Sequence, residues 1–153
     1  MPKPRIVVEI GSGPLISGLV SASGWADLLV FSDLLESNRK RIKETLSNIS
    51  SSPSDLSSID LVADIEGISA KALITRLERS PKIIAESDLF FPGVLHPGLC
   101  LPQPPAVVIM KLCLEFSITS TSDLAPALAR VASIIAPGGL LVIMGALGNL
   151  SKI

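Results

Sequence analysis

The sequence predicts an α/β fold: one mostly parallel sheet with helices on both faces. Two observations carry this. Short apolar runs alternate along the chain with longer stretches in which apolar residues recur every three or four positions. The short runs are apolar nearly throughout, as in strands covered on both faces, rather than at every second position. The length, 153 residues, fits a single domain over 1–153.

The elements follow in order. Arg5–Ile10 is a first strand. Pro14–Ser23 is expected to be a helix with Leu15, Ile16, Leu19 and Val20 on one face. Leu28–Ser32 is a second strand ending at Asp33. Leu35–Asn48 is a helix that buries Leu35, Ile42, Leu46 and Ile49 and turns Arg39, Lys40 and Lys43 mostly outward. The serine-rich stretch Ser47–Ser58, with Pro53 inside it, reads as a loop, and Ile59–Ala63 as a strand or the loop's continuation. Ile68–Arg79 is helical and stops before Pro81. Lys82–Glu86 is a strand, and Phe90–Pro105, with five prolines, an extended loop. Ala106–Leu114 is a strongly buried strand. Ser122 caps a helix running to Ala136, and Leu140–Met144 is the last strand.

Composition removes several classes of function. Hydrophobic residues make up 48% and charged residues 18%, which argues against disorder. The net charge is −1 and no basic stripe appears, so no nucleic-acid partner is expected. Cys100 and Cys113 stand far apart, and His96 is the sole histidine. Reduced thiols and no metal site follow. Val131–Leu150 is uncharged and long enough to span a bilayer, but Pro137-Gly138-Gly139 divides it into helix, turn and strand. No leader or membrane segment is expected, and the location is expected to be cytoplasmic.

The chemistry gathers around "VVEIGSGP", Val7–Pro14. A strand ends in a carboxylate, Glu9, and passes into a loop where Gly11 and Gly13 flank Ser12. Such a loop lets a ligand approach the backbone. The dinucleotide fingerprint GxGxxG is broken at Ile16, and no GK[ST] follows for a phosphate loop. Asp33, at the end of the second strand, can accept both hydroxyls of an unphosphorylated ribose; it can also cap the helix that follows. The combination suits adenosine attached to something small, and Glu9 could serve a positively charged ligand group through water. In a parallel sheet the ligand lies beyond the carboxyl ends of the strands. Glu9, the glycine loop, Asp33, Asp88 and Glu115 all fall at or just past such ends.

Five segments together carry a resemblance: "EIGSGP", "FSDLLESN" at the second strand, "SDL" at Ser87–Leu89, "LCLEF" at Leu112–Phe116, and "APGGLLVIMGAL" at Ala136–Leu147. The sequence resembles the nicotinamide, phenylethanolamine and thioether (indolethylamine) N-methyltransferases over nearly its whole length. The resemblance implies a Rossmann-like methyltransferase sheet and S-adenosyl-L-methionine as cofactor. It implies cofactor contacts from Gly11, Ser12 and Gly13, from Asp33 to the ribose, from Asn38 to the adenosine, and from Asp88 and the Leu89 N–H to the adenine. It implies Glu115 as a contact to a small-molecule amine or thioether substrate, with no catalytic side chain, since methylating an amine needs alignment and exclusion of water more than acid–base power.

Against that family the chain is expected to lack the N-terminal lid and the last two strands. Ser17 stands where relatives carry a tyrosine, and Lys111 where they carry a small polar residue, so an ammonium would repel a sulfonium. Gly145 and Gly148 stand where the two branches carry acids. The expectation is an amine N-methyltransferase domain, weakly active or inactive as this chain, that self-associates through an unpaired sheet edge. The alternative is a non-catalytic truncated relative that binds cofactor or a protein partner.

Overall fold

The structure, a computed structural model, describes residues 4–49 and 53–146. Five strands form one sheet: β1 (Ile6–Ile10), β2 (Leu28–Asp33), β3 (Lys82–Glu86), β4 (Val107–Lys111) and β5 (Leu140–Met144). Their order is β3-β2-β1-β4-β5, and every pairing is parallel. The helices are α1 (Glu36–Ser47), α2 (Pro53–Glu66), α3 (Ala70–Arg79), α4 (Leu114–Ser117) and α5 (Thr121–Ile134).

Two apolar layers cover the sheet. On one face Val7, Leu29 and Phe31 pack with Ile42 of α1, Ile59 and Ala63 of α2, and Leu73 and Leu77 of α3. On the other, Ile6, Val8, Val30, Val108 and Met110 pack with Leu89, Val94 and the α5 residues Ala127 and Val131. β1 lies at the centre and is buried along its whole length, which explains a run that is apolar except for the buried Glu9. β5 is an edge strand, with Leu140 and Met144 each 57% exposed. Among the described residues no helix is long and apolar enough to cross a membrane. The uncharged stretch after Val131 resolves into the end of α5, a turn with Gly138 at φ +78°, and β5.

Several expectations are corrected. Pro14–Ser23 forms two short 3-10 turns, Ser17–Leu19 and Ser21–Gly24, instead of one helix. A helix is a poor choice there: Gly18 lies against the Glu9 carboxylate, and the Ser23 hydroxyl donates to the Val20 carbonyl at 2.5 Å. Ile16, Leu19 and Val20 are still buried, but Leu15 is exposed. The second half of the serine-rich stretch, 53–58, with Ile59–Ala63, belongs to α2, which opens on Pro53, while residues 50–52 of that expected loop lie outside the described residues; a proline is well placed in a first turn, where its missing N–H has no helical partner. β4 stops at Lys111 because Leu112 takes φ +55°, a left-handed turn that a leucine rarely adopts. Ser120, two residues before the expected cap, caps α5 by accepting from the Ser122 N–H. On α1, Leu35 is exposed, and Arg39 folds back onto the sheet.

Candidate functional site

The parallel sheet brings the ends of β1, β2, β3 and β4 to one edge, and the connections leaving them carry the predicted residues. At the exit of β1 the loop is tied into the sheet by serines. The Ser12 N–H donates to the Ser32 carbonyl at 2.9 Å, and the Ser32 N–H donates to the Ser12 hydroxyl at 3.2 Å. The Ser32 hydroxyl in turn donates to the Glu9 carbonyl at 2.7 Å. The Ser12 side chain is therefore turned inward and extends the β1–β2 ladder. Gly11 and Gly13 have φ of +69° and +64°, which only glycine adopts freely. A Cβ on Gly11 would stand 2.4 Å from that of Cys113, so the chain leaving β1 touches the chain leaving β4. A Cβ on Gly13 would meet nothing within 4 Å, so this side of the loop is open.

Asp33 organises the exit of β2. One carboxylate oxygen accepts from the Gly13 N–H at 2.8 Å. The other accepts from the Leu35 N–H at 2.9 Å and from the Asn38 amide at 3.0 Å. The glycine loop, Asp33 and Asn38 thus form one hydrogen-bonded unit. The capping alternative is answered in an intermediate form: Asp33 shapes the turn into α1, while Leu35 occupies the cap position. A carboxylate has about four acceptor sites, so Asp33 keeps some capacity for a further donor.

The sequence reading missed Arg39. Its guanidinium donates to the carbonyls of Asp33 (2.9 Å) and Leu34 (2.6 Å) and reaches Glu86 at the end of β3 (3.3 Å). The Ser87 N–H donates to the Asp33 carbonyl at 3.3 Å, which draws the next loop toward the same edge. There Asp88 folds its carboxylate onto the Phe90 N–H at 2.8 Å. Leu89 is buried and its carbonyl accepts from Arg130, while its N–H has no acceptor among the described residues. Glu115 lies apart from this unit, at the mouth between β4 and β5. One of its oxygens accepts from the Ala146 N–H, and the other is buried without a partner among the described residues. A Cβ on Gly145 would stand 2.7 Å from the Glu115 carboxylate, so that carboxylate fills the space a side chain at 145 would use.

A second cluster was not assembled from sequence. Glu9 is fully buried at the end of β1, and Lys111 Nζ lies 3.7 Å from its Oε1 while donating to the Ser17 hydroxyl at 2.9 Å. Burial pushes the Glu9 carboxyl above the usual range, and the Lys111 charge works against that shift. The available signal was register. Glu9 pairs with Ile109, so Glu9 and Lys111 lie on one face of adjacent strands near their ends. Nearby, burial raises the Cys113 thiol to about 11, which disfavours its thiolate near neutral pH. No group of His, Cys, Asp and Glu that could hold a metal ion occurs among the described residues.

A family model matches residues 2–151. The chain belongs to the NNMT/PNMT/TEMT family. Its curated relatives within and around this family include human nicotinamide N-methyltransferase, 29% identical over 148 residues that make up 95% of this chain and 55% of the relative. Bovine phenylethanolamine N-methyltransferase is 28% identical over 145 residues, 94% of this chain and 51% of the relative. The chain thus spans about half the length of the curated relatives it matches. Among solved structures, the rRNA methyltransferase aviRa from Streptomyces viridochromogenes superposes with TM-score 0.60 at 18% identity, over 94% of this chain and 66% of the other. The glycopeptide N-methyltransferase MtfA, in complex with (S)-adenosyl-L-methionine, superposes with TM-score 0.55 at 14% identity, over 97% of this chain and 47% of the other. These likenesses show that the NNMT/PNMT/TEMT chain has the Rossmann-like methyltransferase fold.

Proposed function

We propose that this chain is a cofactor-binding domain of an S-adenosylmethionine-dependent small-molecule amine N-methyltransferase. The observation that carries the reading is the hydrogen-bonded unit of Gly13, Asp33 and Asn38 at the exits of β1 and β2. The residues fit the group in kind. Asp33 offers acceptor capacity to a ribose diol, the open face of Gly13 admits a ligand to the backbone, and the Leu89 N–H and Asp88 carboxylate offer a donor and an acceptor to a purine edge. Gly11 and Ser12 belong to the reading as the fixed part of that loop. Family membership and the relatives' names favour a methyl donor over other adenosine ligands.

When bound, the cofactor supplies an electrophilic methyl group on a positively charged sulfur. The chain's part is to hold and orient. Glu115, with one buried oxygen unpartnered, is the carboxylate that steers an amine toward the mouth between β4 and β5. An amine held at this mouth would have to present a neutral nitrogen to receive a methyl group and would lose its proton to water, so the residues' part would be alignment and exclusion of water rather than acting as a base. Gly145, exposed at the end of β5, brings no second carboxylate, so this chain alone orients an amine weakly and turns over slowly. The exposed β5 edge favours self-association of the isolated chain.

Calorimetric titration of the full chain with S-adenosylhomocysteine, S-adenosylmethionine and NAD tests the reading. One of the first two is expected to bind more tightly than NAD; tighter binding of NAD overturns it.

A further inference from the structure

Two adjacent central strands end in opposite charges, and the surroundings of the pair are unusual. Glu9 is 0% exposed, and among the described residues neither carboxylate oxygen has a hydrogen-bond partner at ordinary geometry, Ser12 and Lys111 being the donors nearest to it in effect. Its carboxylate rests against Gly18, where an added Cβ would stand 1.8 Å from Oε1, so the loop has given up a side chain to make room for the acid. Among the described residues the cation facing it is Lys111, at 3.7 Å, anchored by Ser17 from the loop that follows the glycines. The lysine side chain is 22% exposed, so it lies between the buried acid and the solvent side of the sheet edge. Asp33 is the other carboxylate whose charge bears on Glu9. Strand order reverses between β1 and β4, and that is where an open parallel sheet forms its ligand crevice.

A buried acid at a crevice attracts a cation. In this chain the cation is built in. S-adenosylmethionine and S-adenosylhomocysteine share every group except one methyl and the positive charge it brings to sulfur. A fixed ammonium at the crevice therefore acts on the difference between them. We propose that Lys111 is a specificity-determining residue: by neutralising Glu9 from within, it biases the site toward the uncharged thioether over the charged sulfonium. This rests on the cofactor reading above. A like unit charge held at the crevice changes a binding ratio by roughly fivefold or more. Glu9 offsets part of that field, so the lower end is expected.

The test is calorimetric titration of the full chain with both ligands and with NAD, at one salt concentration. Wild type is expected to favour S-adenosylhomocysteine. Lys111→Met keeps the length and removes the charge, and should move the ratio of the two dissociation constants at least about fivefold toward S-adenosylmethionine. Lys111→Arg, which keeps the charge, should leave the ratio near wild type. If Lys111→Met does not fold because it leaves Glu9 unpaired, Glu9→Gln, which leaves the ammonium uncompensated, should move the ratio the other way, toward S-adenosylhomocysteine, and no change there overturns the role of Lys111 equally. A ratio unchanged by loss of Lys111, with both ligands still bound, overturns the role of Lys111 and leaves the cofactor reading standing. Failure of wild type to bind either ligand, or tighter binding of NAD, overturns the cofactor reading and this inference with it.

Discussion

Asp33→Ala probes structure and binding at once. Its carboxylate, 6% exposed, holds three donors: the Gly13 N–H, the Leu35 N–H and the Asn38 amide. The three do not weigh equally. Leu35 is exposed, so water replaces its partner at small cost; Gly13 and Asn38 are half-buried and are harder to resolvate. Taking about 1 kcal/mol for each of the charge-assisted bonds to Gly13 and Asn38 and about 0.5 kcal/mol for the one to Leu35 gives a loss of roughly 2.5 kcal/mol. With a urea m-value near 2 kcal/mol/M, the unfolding midpoint should fall by about 1.2 M. Asp33→Asn keeps one carbonyl oxygen without the charge and should lose roughly half as much. In urea-free buffer, where both variants stay folded, calorimetry should show S-adenosylhomocysteine binding weakened by a further ~1.5–3 kcal/mol in the alanine variant. A midpoint within about 0.3 M of wild type would mean that the three bonds add little. A lowered midpoint with unchanged binding would make Asp33 a purely structural turn residue, and the ribose role would fall.

The remaining predictions concern ion pairs. Arg76 grips Glu66 with two nitrogens, at 2.6 and 3.1 Å, and its Nε donates to the Ser23 hydroxyl at 3.0 Å, joining α2, α3 and the second 3-10 turn. Arg76→Ala should lower stability by about 2 kcal/mol in urea unfolding, and Arg76→Lys should recover less than half, because an ammonium cannot reproduce the planar fork. The same result for both variants would show that the fork geometry is irrelevant. For pH, the signs are opposite at two glutamates. The bond from Arg76 holds Glu66 below the usual carboxylate range, so its stabilisation is present above the unfolded pKa of about 4.5 and is lost as pH falls through the lowered folded value. Burial raises Glu9, so the folded state holds its proton more tightly; stability contributed there falls as pH rises from about 4.5 through the raised folded value, then levels off. Comparing wild type with Glu66→Gln and Glu9→Gln across pH 3–8 should give difference curves of opposite slope, and parallel curves would contradict the assigned environments.

The strands were legible as short, nearly continuous apolar runs, which burial on both faces accounts for in β1 and β2; β3 and β5, at the two edges, also lie where such runs predict, although β5 is largely exposed. α2 was not legible, because serine in its first half favours turns and caps, while the helical spacing of Ile59, Val62 and Ala63 is short enough to pass for a strand. The helix expected after Pro14 failed for a tertiary reason: the position of Glu9 dictates a glycine at 18, and no local pattern reports that. At the site, the placing of Asp33 beside the glycine loop followed from each residue's position at a strand end. Arg39 and Lys111 did not. Each is a long, charged side chain whose direction depends on a partner from another strand, Glu86 for one and Glu9 for the other. Lys111 read from sequence as a bare repulsive charge; its acid lies about a hundred positions away in the chain.

That separation has a kinetic side. Ile6 pairs with Leu28, a short closure, whereas Val7 pairs with Val107 across most of the molecule. Loop entropy favours the first over the second, so the β1–β2 side of the sheet and its serine-stitched loop can assemble before β4 inserts. On that order one flank of β1 would be bare and Glu9 hydrated at first, and insertion of β4 would strip water from the acid and deliver its ammonium together. The step that completes the central strand is thus also the step that charges the crevice, and a β4 lacking Lys111 would have to dock against a carboxylate that resists drying.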